Sequence, residues 1–194
     1  MVFSPSPSVA YGASFLPEEA FNSCVHLTYK SKFETIKSSS ERNFVMETLV
    51  RDALVSDLAK IAEIESRSFS TPWSENAFAS QLTADSVFKV LTADGKIVGY
   101  AVIDTQVLPE SELFNIAVDP KYRGKGFSKL LMDAALAEVI QRGAETVLLE
   151  VRASNAAAIG LYEKYGFKQN GVRKGYYSQP KEDAVLMCAR IMRA

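Results

Sequence analysis

The stretch from Glu112 to Ser128, ELFNIAVDPKYRGKGFS, constrains this chain more than any other. It opens with an apolar run, Leu113 to Val118, the length of one buried strand. Asp119-Pro120 ends that strand, because proline has no amide to donate and biases its neighbour away from helix. Arg123-Gly124-Lys125-Gly126 follows, two glycines that let backbone approach a ligand closely and two cations beside them. Phe127, Leu131, Ala135 and Val139 then recur every fourth residue, which builds one buried helix face. Gly143 is placed to end that helix in a left-handed cap. A strand, a basic glycine turn and a helix N-terminus together make an anion site, because free amides and the positive end of the helix dipole point at the turn.

Two phosphate loops are excluded by spacing. The P-loop needs glycine at position 119, which is Asp, and the dinucleotide fingerprint needs glycine at 129, which is Lys. What remains fits the pyrophosphate of coenzyme A. Arg123-Gly124-Lys125-Gly126-Phe127-Ser128 resembles the acyl-CoA loop of the GNAT acetyltransferase superfamily, (Q/R)-x-x-G-x-(G/A). Ser128 departs from the pattern's last Gly or Ala: still small, it brings a hydroxyl that either adds a phosphate contact or crowds one.

The rest of the composition bounds the chain without naming a chemistry. It has 194 residues, 47% hydrophobic, enough for one domain with a real core. With 22 basic and 23 acidic side chains its net charge is −1, which argues against a general nucleic-acid binder. No apolar run approaches the roughly 20 residues that span a membrane. Cys24 and Cys188 lie far apart with no metal spacing, so the expectation is a reducing, cytoplasmic compartment with Cys188 in the core. His26, the single histidine, has no Asp or Cys partner nearby.

Residues 1–45 read poorly as structure and are expected to be an N-terminal extension. Ser4-Pro5-Ser6-Pro7-Ser8 and Ser38-Ser39-Ser40 are loop composition. The segment lacks the charged start and long apolar core of a secretory signal; its serine-rich, acid-poor opening suits an organellar transit segment, although arginine is missing too. Met46 also serves as an alternative start. From there to residue 194 the pattern is regular. Thr48 to Val50 begins a strand. Ser56 caps a helix carrying Leu58, Ile61, Ala62 and Ile64, and Thr71-Pro72-Trp73-Ser74 turns into a second. Val87 to Leu91 and Ile97 to Val107 flank the turn Asp94-Gly95. After Glu145 to Val151 come a short helix, Asn155 to Tyr165, the stop Gly166-Phe167, and two closing strands. The expected order is β-α-α-β-β-β-α-β-α-β-β, without repeats and around one core.

The second half adds a closer resemblance. Leu149 to Ile159 (LEVRASNAAAI), Leu161-Tyr162-Glu163, Asn115 to Pro120, Pro72-Trp73-Ser74, Tyr176-Tyr177 and Glu182-Asp183-Ala184 are similar to the RimI-like family, the ribosomal-protein N-terminal alanine acetyltransferases among the GNAT enzymes. The similarity runs from Met46 to about Ile191. It implies an α/β (α+β) fold: a mixed, mostly antiparallel central sheet flanked by helices, with splayed strands that bind acyl-CoA. It implies transfer of acetyl from acetyl-CoA, as co-substrate and without a metal, to the N-terminal amine of a ribosomal protein, with neither nucleic acid nor membrane as partner.

The resemblance also assigns roles. Glu150 matches the family's general base, because an α-amine of pKa near 8 must lose a proton before it attacks a thioester. Tyr162 matches the acid that protonates the departing thiolate. The backbone of Ile116, Ala117 and Val118 would pair with pantetheine, Arg123, Gly124, Lys125, Gly126, Phe127 and Ser128 would hold the phosphates, and Asn155 would touch the cofactor. Trp73 and Tyr177 are candidate walls of the acceptor cleft. A small-amine acetyltransferase of the same fold and a non-catalytic acyl-CoA-binding module are the alternatives; the match around Arg152 to Asn155 speaks against the first, and the presence of both Glu150 and Tyr162 against the second.

Overall fold

The computed structural model describes residues 26–28 and 46–192. The elements are β1 His26–Thr28, β2 Thr48–Asp52, α1 Leu58–Ser68, α2 Glu75–Thr83, β3 Ser86–Ala93, β4 Lys96–Asp104, β5 Glu110–Val118, α3 Phe127–Arg142, β6 Thr146–Arg152, α4 Ala156–Lys164, β7 Lys168–Ser178 and β8 Lys181–Met192. From β2 onward their order is the expected one. The strand β1 is an addition: three residues within the expected extension pair in parallel with Arg190–Met192 of β8. The rest of residues 1–45 lies outside the described residues.

The sheet runs β1-β8-β6-β5-β4-β3-β2, with β7 also on β8. All pairings are antiparallel except β5 with β6 and β1 with β8. One face is covered by α3 and α4, whose Phe127, Leu131, Met132, Leu136, Val139 and Tyr162 pack on Val98, Ile103, Leu113, Leu149 and Met187. Each such side chain contributes about 1.5–3 kcal/mol by leaving water. The other face is covered by α1 and α2 over β3 to β5, through Leu58, Ile61, Ile64 and Phe78 on Phe88, Tyr100 and Val102. Cys188 is in the core, as expected, but it is disulfide-bonded rather than a thiol.

Local chemistry explains most boundaries. Ser74 accepts the amide of Ala77 at 3.2 Å and starts α2, with Glu75 at the positive end. Gly143 ends α3 at φ 100°, where a side chain would be strained. The start of α1 departs from expectation. Asp57, not Ser56, organises it: its carboxylate accepts the amide of Leu54 at 2.8 Å and two bonds from Arg51, at 2.6 and 3.0 Å. Among the described residues no helix is long and apolar enough to cross a membrane.

One irregularity positions everything that follows. β5 and β6 pair from Glu110↔Thr146 to Leu113↔Leu149 and then part. Beyond that rung β5 keeps only β4, and β6 keeps only β8. The register of β5 on β4 slips at the same place, because Phe114 is an extra residue between the pairs Ile103↔Leu113 and Val102↔Asn115. A bulge bends its strand and strengthens the twist, which carries β5 away from β6.

Candidate active site

The parting exposes an edge. Ile116, Ala117 and Val118 pair with Ala101, Tyr100 and Gly99 of β4, so in an antiparallel ladder the other half of their backbone groups faces the gap toward β6. An extended chain with amide groups, such as a pantetheine arm, fits that edge as a strand would. The carbonyl of Val118 is already taken, by Nε of Arg123 at 3.0 Å.

The basic loop follows directly. Gly124 and Gly126 have φ of 77° and 79°, and Gly126 is the N-terminal cap of α3 without any side-chain cap. Among the described residues no backbone acceptor takes the amides of residues 124–128. They form a donor cradle at the positive end of a 16-residue helix. The two cations are not equivalent. Arg123 is committed within the protein, to Val118 and to the hydroxyl of Ser68 at 3.2 Å, and so stiffens the loop. Lys125 lies 5.5 Å over the ring of Tyr122 and is exposed.

Glu150 lies at the splay, one residue past the last shared rung, opposite Leu186 on β8. Its Oε1 is 2.8 Å from Nη1 of Arg173, and the hydroxyl of Tyr176 donates to it. Both partners are on β7, where the register on β8 jumps between Arg173↔Ala184 and Tyr177↔Glu182. Asp183 holds that bulge, accepting the amide of Gly175 at 2.8 Å and pairing with Lys174 at 2.6 Å. Burial pushes the Tyr177 phenol up to about 12, and the negative charge of Glu150 adds to that.

Tyr162, on α4, is 7% exposed and packs against Phe167. Burial, and then the neighbouring Tyr177 phenol, holds its proton far more firmly than a free tyrosine does. Among the described residues its hydroxyl has no hydrogen-bond partner, so it remains a donor. Asn155 is the cap of α4: its side chain accepts the amide of Ala158 at 3.2 Å, which accounts for asparagine there. Among the described residues no group of three or more His, Cys, Asp or Glu stands where it could hold a metal ion.

Residues 58–167 match the family model described as the acetyltransferase (GNAT) family. The ribosomal protein bS18-alanine N-acetyltransferase of Escherichia coli K12 is 43% identical over 137 residues, which are 70% of this chain and 92% of the relative. The chain belongs to the GNAT acetyltransferase family. The crystal structure of the ribosomal-protein-S18-alanine N-acetyltransferase from Escherichia coli superposes with TM-score 0.71 at 40% identity, covering 76% of this chain and 96% of that one. A Salmonella typhimurium protein, yncA, seen with acetyl-CoA, shares the fold at TM-score 0.64 and 19% identity, covering 74% of this chain and 93% of that one. This acetyltransferase therefore has the expected mixed sheet with its splayed strands.

Two features of this GNAT site were not read from the sequence. Glu65 of α1 is 1% exposed and satisfies three donors: the Tyr100 hydroxyl, Nδ2 of Asn115 at 3.0 Å and the amide of Trp73 at 3.0 Å. It ties the loop before α2 to the splaying strand β5. Burial raises its carboxyl above the usual range against the pull of those bonds. The available signal was a carboxylate at the i+4 position from Ile61 on an apolar face. The second feature is a bridge. Arg152 stacks 4.1 Å from the Tyr177 ring, pairs with Glu182 at 3.3 Å, and donates to Ser70 at 3.0 Å and to the Gln179 carbonyl at 2.9 Å. Ser70 itself donates to Gln179 at 2.5 Å. The α1–α2 loop and the β7–β8 turn are thus joined over the end of β6. Trp73, expected as a wall, packs on Phe78 and Phe114 at 5.4 and 6.0 Å.

Proposed function

We propose that this acetyltransferase moves acetyl from acetyl-CoA to the N-terminal α-amine of a protein, an alanine of a ribosomal protein as in its Escherichia coli relative, and that it does so in the cytoplasm. The bridge from Ser70 through Gln179 to Arg152 carries this reading. A cleft roofed by joined walls admits a chain by its end; an open groove would admit an internal lysine. The edge at Ile116, Ala117 and Val118 orients the pantetheine arm, and the amides of residues 124–128 receive the pyrophosphate. Glu150, held by Arg173 and Tyr176, accepts the ammonium proton at the splay. The nitrogen attacks the acetyl carbonyl carbon, a C–N bond forms and the C–S bond breaks. Tyr162 gives its proton to the sulfur and regains one from the nitrogen. Residues 46–194 make up the acetyltransferase domain.

Peptides with the alanine start of the ribosomal protein, the same peptides N-terminally blocked, peptides with an internal lysine, polyamines and aminoglycosides are assayed side by side. Turnover confined to free α-amines supports the reading. Efficient acetylation of internal lysine or of polyamines alone moves the chain to another branch of the family, and binding of acetyl-CoA without turnover on any acceptor makes it a non-catalytic module.

A further inference from the structure

The carboxylate of Glu150 is already occupied. Nη1 of Arg173 lies 2.8 Å from its Oε1, and the Tyr176 hydroxyl bonds to the same group. Arg173 and Tyr176 are three positions apart on β7, and in a regular strand residues an odd number apart point to opposite faces. The bulge brings them together. Lys174, Gly175 and Tyr176 stand opposite Asp183 alone, between the pairs Arg173↔Ala184 and Tyr177↔Glu182. Asp183 fixes the extra backbone through Lys174 and the Gly175 amide, and Gly175 supplies the φ of 60° that turns it. The guanidinium of Arg173 then lies 5.0 Å over the Tyr176 ring while it pairs with Glu150. A carboxylate beside an aromatic face suits an alkylammonium as well as a guanidinium.

We propose that Arg173 stands in for the acceptor's ammonium: its guanidinium occupies the amine subsite of the empty cleft and gives it up when the acceptor arrives. The proposal rests on the acetyl-transfer reading with Glu150 as proton acceptor. To take that proton, Glu150 needs the ammonium within hydrogen-bond distance. Two cations crowded on one carboxylate repel each other, so ammonium and guanidinium exclude one another there.

Arg173 is the partner able to leave. Its side chain is 45% exposed, against 18% for Glu150. An ion pair with one partner largely in solvent costs little to break, and the long arginine stem carries the charge out into water. Acetylation reverses the exchange. The amide product has no charge, so nothing then competes with the guanidinium for Glu150. Arg173 thereby sets a preference between the two peptides of the reaction: its departure is driven by the charged acceptor and not by the neutral product.

The test titrates two peptides at pH 7 into full-length protein saturated with CoA, which binds without turnover: the alanine peptide with a free amine, and the same peptide N-acetylated. Arg173→Met keeps the stem and removes the charge; Arg173→Lys restores a cation. Melting and CoA affinity are the controls. The free-amine peptide should bind Arg173→Met about two- to fivefold more tightly than wild type, the factor set by an exposed ion pair that no longer has to break. The acetylated peptide should bind both proteins alike, and Arg173→Lys should return the free-amine peptide close to wild-type affinity. A free-amine peptide that binds Arg173→Met no more tightly than wild type overturns the proposal, and so does an equal shift of both peptides, which a change of cleft shape alone produces. Nitrogen-15 spectra of the wild-type arginine side chains give a reading free of any variant. The Arg173 guanidinium should rotate slowly in the empty cleft, fast with the free-amine peptide bound and slowly again with the acetylated one; slow rotation throughout also overturns the proposal. Wild-type protein that acetylates the alanine peptide but gives any of these contrary results loses this inference alone. Wild-type protein that acetylates no peptide amine overturns the acetyl-transfer reading and this inference with it.

Discussion

The proposed reaction gives Tyr162 and Glu150 opposite tasks, and their surroundings differ accordingly. Tyr162 keeps its proton because its ring and hydroxyl are buried against Phe167 and Tyr177. Glu150 is half-buried and lies 2.8 Å from Nη1 of Arg173. Glu150→Gln keeps the shape and removes the acceptor, so kcat should fall about 10²–10⁴-fold at neutral pH, and less at high pH where the amine is already free. Tyr162→Phe should lower turnover and leave acetyl-CoA affinity intact. Steady-state kinetics across pH check both, and a Glu150→Gln enzyme with wild-type kcat at pH 7 would return Glu150 to a structural ion pair. Glu65 makes a prediction about stability. Glu65→Ala strips the acceptor from Tyr100, Asn115 and the Trp73 amide, at about 1–3 kcal/mol for each buried group left unsatisfied. Glu65→Gln retains most bonds and removes a buried charge. A raised carboxyl binds its proton more tightly folded than unfolded, so its contribution is fully present below the usual carboxylate range and is lost as pH rises through the folded value. The Glu65→Gln variant should therefore lose that pH slope, and its melting temperature at pH 7 should match or exceed wild type.

At the scale of elements, the unit β5-loop-α3 was legible because its causes are local. A six-residue apolar run, a proline stop, two glycines with positive φ and a four-residue apolar repeat are all written within 30 residues. The β7 bulge was not legible, because Asp183 holds it from across the hairpin and nothing between Arg173 and Tyr177 announces it. The start of α1 misled for a similar reason: Ser56 has the right type, but Arg51 fixes Asp57 instead. The anion loop allows a test in which stability and binding move apart. Ser128→Asp puts a carboxylate in the first turn of α3, favourable to the helix by about 0.3–1 kcal/mol. The same charge repels a pyrophosphate at the amides of residues 124–128. Melting temperature should hold or rise while the acetyl-CoA KM climbs; an unchanged KM would take the phosphates out of this loop.

For the molecule as a whole, the domain beginning at Met46 should stand by itself. β1 pairs with β8 only at Arg190–Met192, four rungs from the Glu150↔Leu186 pair. A chain starting at Met46 gives up those three pairs, so its melting temperature should fall while kcat/KM is kept. Loss of most of the activity would make the extension part of the working enzyme. The parted strands have a mechanical consequence. β2 to β5 form one half-sheet and β6 to β8 the other, and four rungs between Glu110–Leu113 and Thr146–Leu149 are the only ladder that joins them among the described residues. On the proposed placement, a substrate arm along Ile116 to Val118 that reaches β6 would suture the two halves, and part of its binding free energy would appear as cohesion of the sheet. Cofactor occupancy should then slow amide exchange on both sides of the seam together, and the enzyme should be stiffest when it is loaded.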